Sequence, residues 1–305
     1  MKNESEDRVT RCGYVALIGV PNAGKSTLVN ALVGAKVSIV SRKVQTTRTL
    51  VRGIAIKDGT QIIFVDTPGI FTPKRRLERA MVTSAWGGAG DADAVALVID
   101  SRKGIDPEVE ALLTALEAWK RPIFLILNKI DLVDRANLLG LTETLNQKIA
   151  FQETFMVSAS TGSGVKRVLE QISKVMPIGP WLYPEDQVSD APLRMLASEI
   201  TREKLFERLH DELPYRSTVE TDQWQTRKDG SVRIEQTIFV ERESQRMIVL
   251  GKAGQTIKAI GAASRQELAQ EIDMKVHLFL HVKVRENWTD DPARYREMGL
   301  DFPTD

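Results

Sequence analysis

The chain has 305 residues, 42% of them hydrophobic and 27% charged, with 42 Lys plus Arg against 41 Asp plus Glu for a net charge of +1. That length accommodates two domains of ordinary size, and the balance of apolar and charged residues excludes a disordered chain. No apolar run approaches the roughly 18 residues that span a bilayer, MKNESEDRVT lacks the apolar core of a secretory signal, and the single cysteine, Cys12, excludes an intrachain disulfide or a dithiol pair, so a cytoplasmic address is expected.

A short tail, 1–12, leads into YVALIG at 14–19, the first of five apolar runs. GVPNAGKS follows it and passes into the helical pattern STLVNALVG. The later runs are QIIFVD at 61–66, AVALVI at 94–99, PIFLIL at 122–127 and TFMVSA at 154–159. Continuous apolar strands separated by helix-sized segments predict an α/β domain over 13–176, its sheet mostly parallel and covered by helices on both faces. Ligands of such a sheet are held by loops at the carboxyl ends of the strands.

Pro177, Pro180, Pro184 and Pro192 then interrupt the pattern and predict a linker over 177–191. From 192 to 305 the order changes to an α+β arrangement. It predicts a helix over 193–210, strands around 216–220 and 232–240 closed into a hairpin by Asp229-Gly230, a strand RMIVL ending in the turn GKAG, a helix over 255–271, and the alternating strand KVHLFLHVKV.

Charge is distributed unevenly along this frame. No Asp or Glu occurs from Arg8 through Lys57, and a second acid-free stretch, Ser244 to Gln266, holds Arg246, Lys252, Lys258 and Arg265. Each stretch encloses a glycine-rich turn, and uncompensated positive charge around bare backbone points to phosphate.

In the first turn, Gly19, Val20, Pro21, Asn22, Ala23, Gly24, Lys25, Ser26 and Thr27 sit between a strand and a helix, the context a phosphate-binding loop requires. Its N–H groups would surround a β-phosphate, Lys25 would neutralise the β and γ oxygens, and the Ser26 hydroxyl would ligate Mg²⁺. Asp66, Thr67, Pro68 and Gly69 close QIIFVD; a strand-end Asp suits a water-mediated Mg²⁺ contact, and the Gly69 N–H is placed to sense the γ-phosphate. In Gln45-Thr46-Thr47-Arg48 a threonine can complete the Mg²⁺ shell, and Thr47 is favoured over Thr46. Asn128, Lys129 and Asp131 close PIFLIL, and the Asp131 carboxylate can accept both N1–H and the exocyclic amine of guanine, whereas adenine presents an acceptor at N1. Ser158 and Ala159 would pad the other side of the base. Lys25, Thr47 and Gly69 are thus the residues expected to act in hydrolysis of GTP to GDP, with Asp131 disfavouring an ATP-driven enzyme.

The second turn, Gly251, Lys252, Ala253 and Gly254, lacks the spacing of a dinucleotide-binding loop. Its surroundings are those of a KH module, whose G-x-x-G loop clamps about four nucleotides of single-stranded backbone. Arg246, Lys252 and Lys258 supply charge there; Ile257 and Ile260 fit either an apolar groove for bases or the core.

The ordered set GVPNAGKS, QTTR, DTPG, NKID and VSA resembles a translation-associated GTPase. With YPEDQVSD, ASEITREKLF, DELPY, IVLGKAGQTIKAIG and KVRENWTDDPARYREMGLDF, the chain resembles the Era family of ribosome-assembly GTPases over nearly its whole length, with a KH type II domain after the GTPase domain. The resemblance implies slow GTPase activity, binding near the 3′ end of 16S rRNA, contact with the immature 30S subunit, peripheral association with the inner membrane, and a monomer. It also implies that Asn22 helps to hold K⁺. Two positions depart from related patterns: Ile70 stands where Ras-like GTPases place a water-orienting Gln, and Ala253 stands where many family members carry a second basic residue. A rival reading makes the C-terminal module a docking domain for a membrane or protein partner.

Overall fold

The computed structural model describes residues 9–286 and 288–303; Arg8 and the start of the expected tail lie outside them. The chain divides into two units, the first comprising the chain up to Val37 with Thr47–Pro73 and Met81–Asp190, the second Ser38–Thr46, Lys74–Ala80 and the chain from Ala191.

The elements of the first half alternate as expected: β1 (Arg11–Ile18), α1 (Lys25–Val33), β2 (Val51–Lys57), β3 (Thr60–Asp66), α2 (Arg76–Asp91), β4 (Ala94–Asp100), α3 (Pro107–Leu116), β5 (Ile123–Asn128), α4 (Arg135–Lys148), β6 (Glu153–Val157) and α5 (Val165–Val175). The sheet runs β2-β3-β1-β4-β5-β6, parallel throughout except for the antiparallel edge pair β2–β3. Every residue of β3, β4 and β5 is buried, which is why those strands read as unbroken apolar runs. Apolar side chains of α1, α3 and α5, among them Leu28, Leu112, Val168 and Ile172, complete one continuous core with the sheet.

Two features differ from the sequence reading. β2 was not expected, and its connection to β3 is the two-residue turn Asp58-Gly59, with Lys57 opposite Thr60. The proline-rich segment is also no free tether. Cys12 N–H donates to the Pro177 carbonyl (3.1 Å), the Leu182 and Tyr183 N–H groups to Gln61 Oε1 (2.8 and 3.0 Å), Ile54 N–H to the Val188 carbonyl (2.8 Å), and Arg52 to Asp190 (2.8 Å). Proline removes donors from this stretch, but its remaining groups find partners on the first unit.

The second unit carries α6 (Leu193–Arg208), β7 (Ser217–Thr226), β8 (Val232–Val240), α7 (Glu243–Leu250), α8 (Gln255–Glu271), β9 (Val276–Val284) and α9 (Pro292–Glu297). β7 and β8 form the expected antiparallel hairpin, and β9 adds parallel to β8. Leu205, Ile238, Val240, Val249 and Ile260 form one core cluster, with Ala197, Ile200, Val232, Ile234 and Leu268 in another. Ile260 is therefore core, while Ile257 is partly buried against the same cluster.

RMIVL is helix, not strand. Within α7 the buried side chains are Gln245 and Val249, one turn apart, while Met247 and Ile248 are exposed, a spacing that only a helix satisfies. Gln245 Oε1 accepts the N–H groups of Glu241 (2.9 Å) and Arg242 (3.1 Å), which fixes the helix start. GKAG consequently joins two helices.

Candidate functional site

The first glycine loop lies between the carboxyl end of β1 and the start of α1. Gly24 there has φ 96°, and a Cβ on it would meet Asn128 Nδ2 at 2.3 Å. Only glycine lets this turn approach the neighbouring strand end so closely. Asn128 uses that proximity: its Nδ2 donates to the Ala23 carbonyl (3.0 Å), and its Oδ1 accepts the N–H groups of Lys129 (2.8 Å) and Ala159 (3.1 Å). One amide thus ties together the loops expected to hold phosphate, the base edge and the base face. Within the loop Ala23 N–H returns to the Val20 carbonyl (3.3 Å), and Val20 and Ala23 are buried. Pro21 abuts Gly69, and Thr27 is half-buried on the first turn of α1.

Lys25 is buried, with Nζ donating to the Gly19 (3.0 Å) and Val20 (3.2 Å) carbonyls. Burial lowers its pKa to about 8, opposed by the nearby Asp66 carboxylate. The ammonium therefore lies inside the loop that phosphate oxygens would occupy, hydrogen-bonded to two neutral carbonyls.

Ser26 Oγ and Thr47 Oγ1 lie 2.9 Å apart, and Thr47 Oγ1 donates to Asp66 Oδ2 at 3.4 Å. These three oxygens beside Lys25 are hard donors of the kind Mg²⁺ takes together with phosphate. The Thr46 hydroxyl instead donates to the Lys43 carbonyl (2.8 Å), so it is Thr47 that joins this set. Thr67 spends its hydroxyl on the Leu17 carbonyl (2.6 Å), and Ile70 N–H bonds the Gly19 carbonyl (3.1 Å). The DTPG turn is thereby pressed on the phosphate loop. Ile70 itself is buried and apolar, so it offers no group to orient water.

Asp131 stands exposed on a short turn of 3₁₀ helix, Ile130–Leu132, and Ser158 is buried at the end of β6 with Ala159 beside it. Sequence reasoning missed Asp100. It closes β4 directly opposite Asn128 and accepts from Lys129 Nζ (2.8 Å) and the Arg102 guanidinium (2.6 and 3.0 Å). Its signal was present as an acid ending the apolar run AVALVI, at the same level as Asn128 in the neighbouring strand.

The second loop is shaped by Gly251 at φ 72°, ψ 172°, whose N–H ends α7 on the Met247 carbonyl (2.9 Å), and by Gly254, whose N–H returns to the Gly251 carbonyl (3.1 Å). Lys252, Ala253 and Lys258 are exposed. Arg246 is held differently: its guanidinium pairs with Glu243 (2.6 Å) and donates to the Val282 carbonyl (3.3 Å), so part of its charge is already engaged.

Comparison with known proteins places both halves. A family described as 50S ribosome-binding GTPase matches residues 14–129, and the KH domain family matches 212–289. GTPase Era of Afipia carboxidovorans is 65% identical over 300 residues, covering 98% of this chain and 97% of that protein, and GTPase Era of Bradyrhizobium diazoefficiens is 64% identical over 294 residues, covering 96% of each. Two Era crystal structures each give a TM-score of 0.90 at 37% identity, covering 95% of this chain and 99% of theirs: Aquifex aeolicus Era bound to GDP and AlF₄⁻, and Era in complex with MgGDPNP and nucleotides 1506–1542 of 16S ribosomal RNA. Identity at this level along nearly the full length of both chains means that this chain belongs to the GTPase Era family.

Proposed function

We propose that this chain is a GTP-hydrolysing switch that grips the 3′ region of 16S rRNA through its GKAG loop and assists assembly of the small ribosomal subunit. The observation that carries the nucleotide half is the convergence of Ser26, Thr47 and Asp66 beside the buried Lys25. The RNA half is supported by the exposed Lys252 on a loop of bare backbone, by the exposed Lys258 near the start of α8, and by the 16S rRNA nucleotides held in the related Era complex.

In this reading Gly19 to Thr27 wrap the phosphates, Lys25 neutralises the β and γ oxygens, and the Gly69 N–H meets the γ-phosphate. Ser26 and Thr47 contribute hydroxyl oxygens to Mg²⁺, with Asp66 acting through water; the ion supplies neutralisation of phosphate charge. Asp131 reads guanine, with Lys129, Ser158 and Ala159 framing the base. Because Ile70 cannot position a water, the intrinsic rate is slow, and Asn22 helps to hold a K⁺ ion that supplies positive charge near the phosphates. Gly251, Lys252, Ala253 and Gly254 contact the RNA backbone, with Arg246, Ile257 and Lys258 flanking it. The domains are divided at 13–176 and 192–305. No helix among the described residues is long and apolar enough to cross a membrane. The reading gives the chain a cytoplasmic address as a monomer on the 30S subunit, with peripheral contact at the inner membrane.

The test is binding of a fluorescent RNA carrying the 3′ end of small-subunit rRNA. Gly251→Asp with Gly254→Asp should abolish it while leaving GTP affinity intact, and retained RNA binding would overturn the RNA half of the proposal.

A further inference from the structure

We infer that Asp100 is a positioning residue for the base site: its carboxylate anchors the Lys129 ammonium so that the lysine stem is set in place as a wall of the guanine pocket before nucleotide arrives. The inference rests on the reading of Lys129 and Asp131 as the guanine site. Asp100 is only 2% exposed, at the carboxyl end of β4. Its Oδ2 accepts from Lys129 Nζ (2.8 Å) and Arg102 Nη2 (2.6 Å), and its Oδ1 accepts from Arg102 Nε (3.0 Å) and the Arg102 backbone N–H (3.1 Å).

Lys129 is fixed at both ends. Its backbone is left-handed at φ 65°, with its N–H bonded to Asn128 Oδ1, and its ammonium is shared between Asp100 and the Asn22 carbonyl (2.6 Å). A free lysine stem would lose rotamer freedom each time a base stacked on it; here that loss is incurred on folding instead. The ion pair is also protected. Burial alone would raise the Asp100 pKa, but hydrogen bonds from Arg102 and Lys129 outweigh it and bring it down to about 2, so the anchor is charged near neutral pH. Arg102 is half-exposed, and its position supports the carboxylate rather than the base.

The experiment uses the full chain and measures GDP and IDP affinities and the release rate of a fluorescent GDP. IDP lacks the exocyclic amine that Asp131 would accept. Asp100→Asn should weaken GDP and IDP by the same factor, about tenfold to a hundredfold, the scale of a lost hydrogen bond to a charged group. In a double-mutant cycle with Lys129→Ala, the effect of Asp100→Ala should largely vanish once the lysine is gone. A role confined to folding would instead give independent, multiplying effects, and that result, or GDP affinity within twofold of wild type, would overturn the inference. Where an Asp100 variant fails to fold, Arg102→Ala serves, with about threefold to tenfold weaker binding of both nucleotides expected and unchanged binding refuting. A separate arm, Asp131→Asn, should erase the preference for GDP over IDP. If it does not, the base-site reading itself falls, whereas loss of the preference together with a multiplying cycle sinks Asp100 alone.

Discussion

The two glycines of GKAG are predicted to be unequal. Gly251 sits at φ 72°, ψ 172°, a region that only glycine occupies without strain, and an added Cβ would meet Thr256 Oγ1 at 2.1 Å and the Thr256 backbone nitrogen at 2.9 Å. The threonine hydroxyl can rotate away; its Cβ, at 2.8 Å, and the nitrogen in the first turn of α8 cannot. Backbone strain of about 1–3 kcal/mol and overpacking of a similar size give about 2–6 kcal/mol for Gly251→Ala. Gly254 is at φ 75°, ψ 16°, where an added Cβ would find its nearest atom, Lys258 Cε, at 3.8 Å. Alanine there has only the left-handed penalty of about 1–2 kcal/mol, a conformation Ala253 already adopts at φ 52°. If the strain is relieved by remaking the loop, RNA affinity should fall by at least about thirtyfold for Gly251→Ala and about fivefold or somewhat more for Gly254→Ala. Fluorescence anisotropy with labelled single-stranded RNA measures the first quantity. Amide hydrogen exchange at Gly254 and Thr256 reports whether the loop has opened. Equal affinities and equal exchange in the two variants would refute the reasoning, as would unaltered RNA binding by Gly251→Ala.

Three further outcomes follow from the nucleotide site. Because burial lowers Lys25 to about 8, well below its ordinary 10.5, the unfolded chain binds more protons between those values, and the Lys25 contribution to stability of the nucleotide-free protein rises with pH across that window. Phosphate reverses the shift, so GDP binding near pH 9 should take up a proton and weaken as pH rises; calorimetry in buffers of different ionisation heat would show no uptake if the idea is wrong. Thr47→Ala should raise the Mg²⁺ concentration needed for half-maximal hydrolysis by about tenfold, while Thr46→Ala, whose hydroxyl only bonds the Lys43 carbonyl, should leave it near wild type. Replacing K⁺ by Na⁺ at constant ionic strength should depress GTP hydrolysis, and equal rates in the two salts would remove Asn22 from the ion site.

What could be read in the sequence was set by how locally each feature is encoded. β3, β4 and β5 are buried along their whole length, so apolar runs marked them directly. β2 was missed because VRGIAIK carries Arg52, Gly53 and Lys57, the composition of a half-covered edge, although Asp58-Gly59 is among the strongest short hairpin signals. RMIVL misled for the opposite reason: its apolar density is that of a strand, but two of its side chains, Met247 and Ile248, point to solvent. The period that decides the matter, Gln245 to Val249, begins with a polar residue whose burial depends on capping its own helix. Composition cannot reveal that.

The same distinction separates the legible from the hidden parts of the site. Lys25, Ser26, Asp66 and Asp131 belong to short motifs in which each residue's neighbours explain it. Asp100 belongs to none; its meaning lies in the register that sets it opposite Asn128 and within 2.8 Å of Lys129. Parallel strands bring their carboxyl ends to one edge of the sheet, so a polar residue closing an apolar run faces the ligand loops whether or not it lies in a motif. Asp66, Asp100 and Asn128 all satisfy that condition. Strand-end polarity, read together with strand order, would have placed Asp100 in the site from the topology alone.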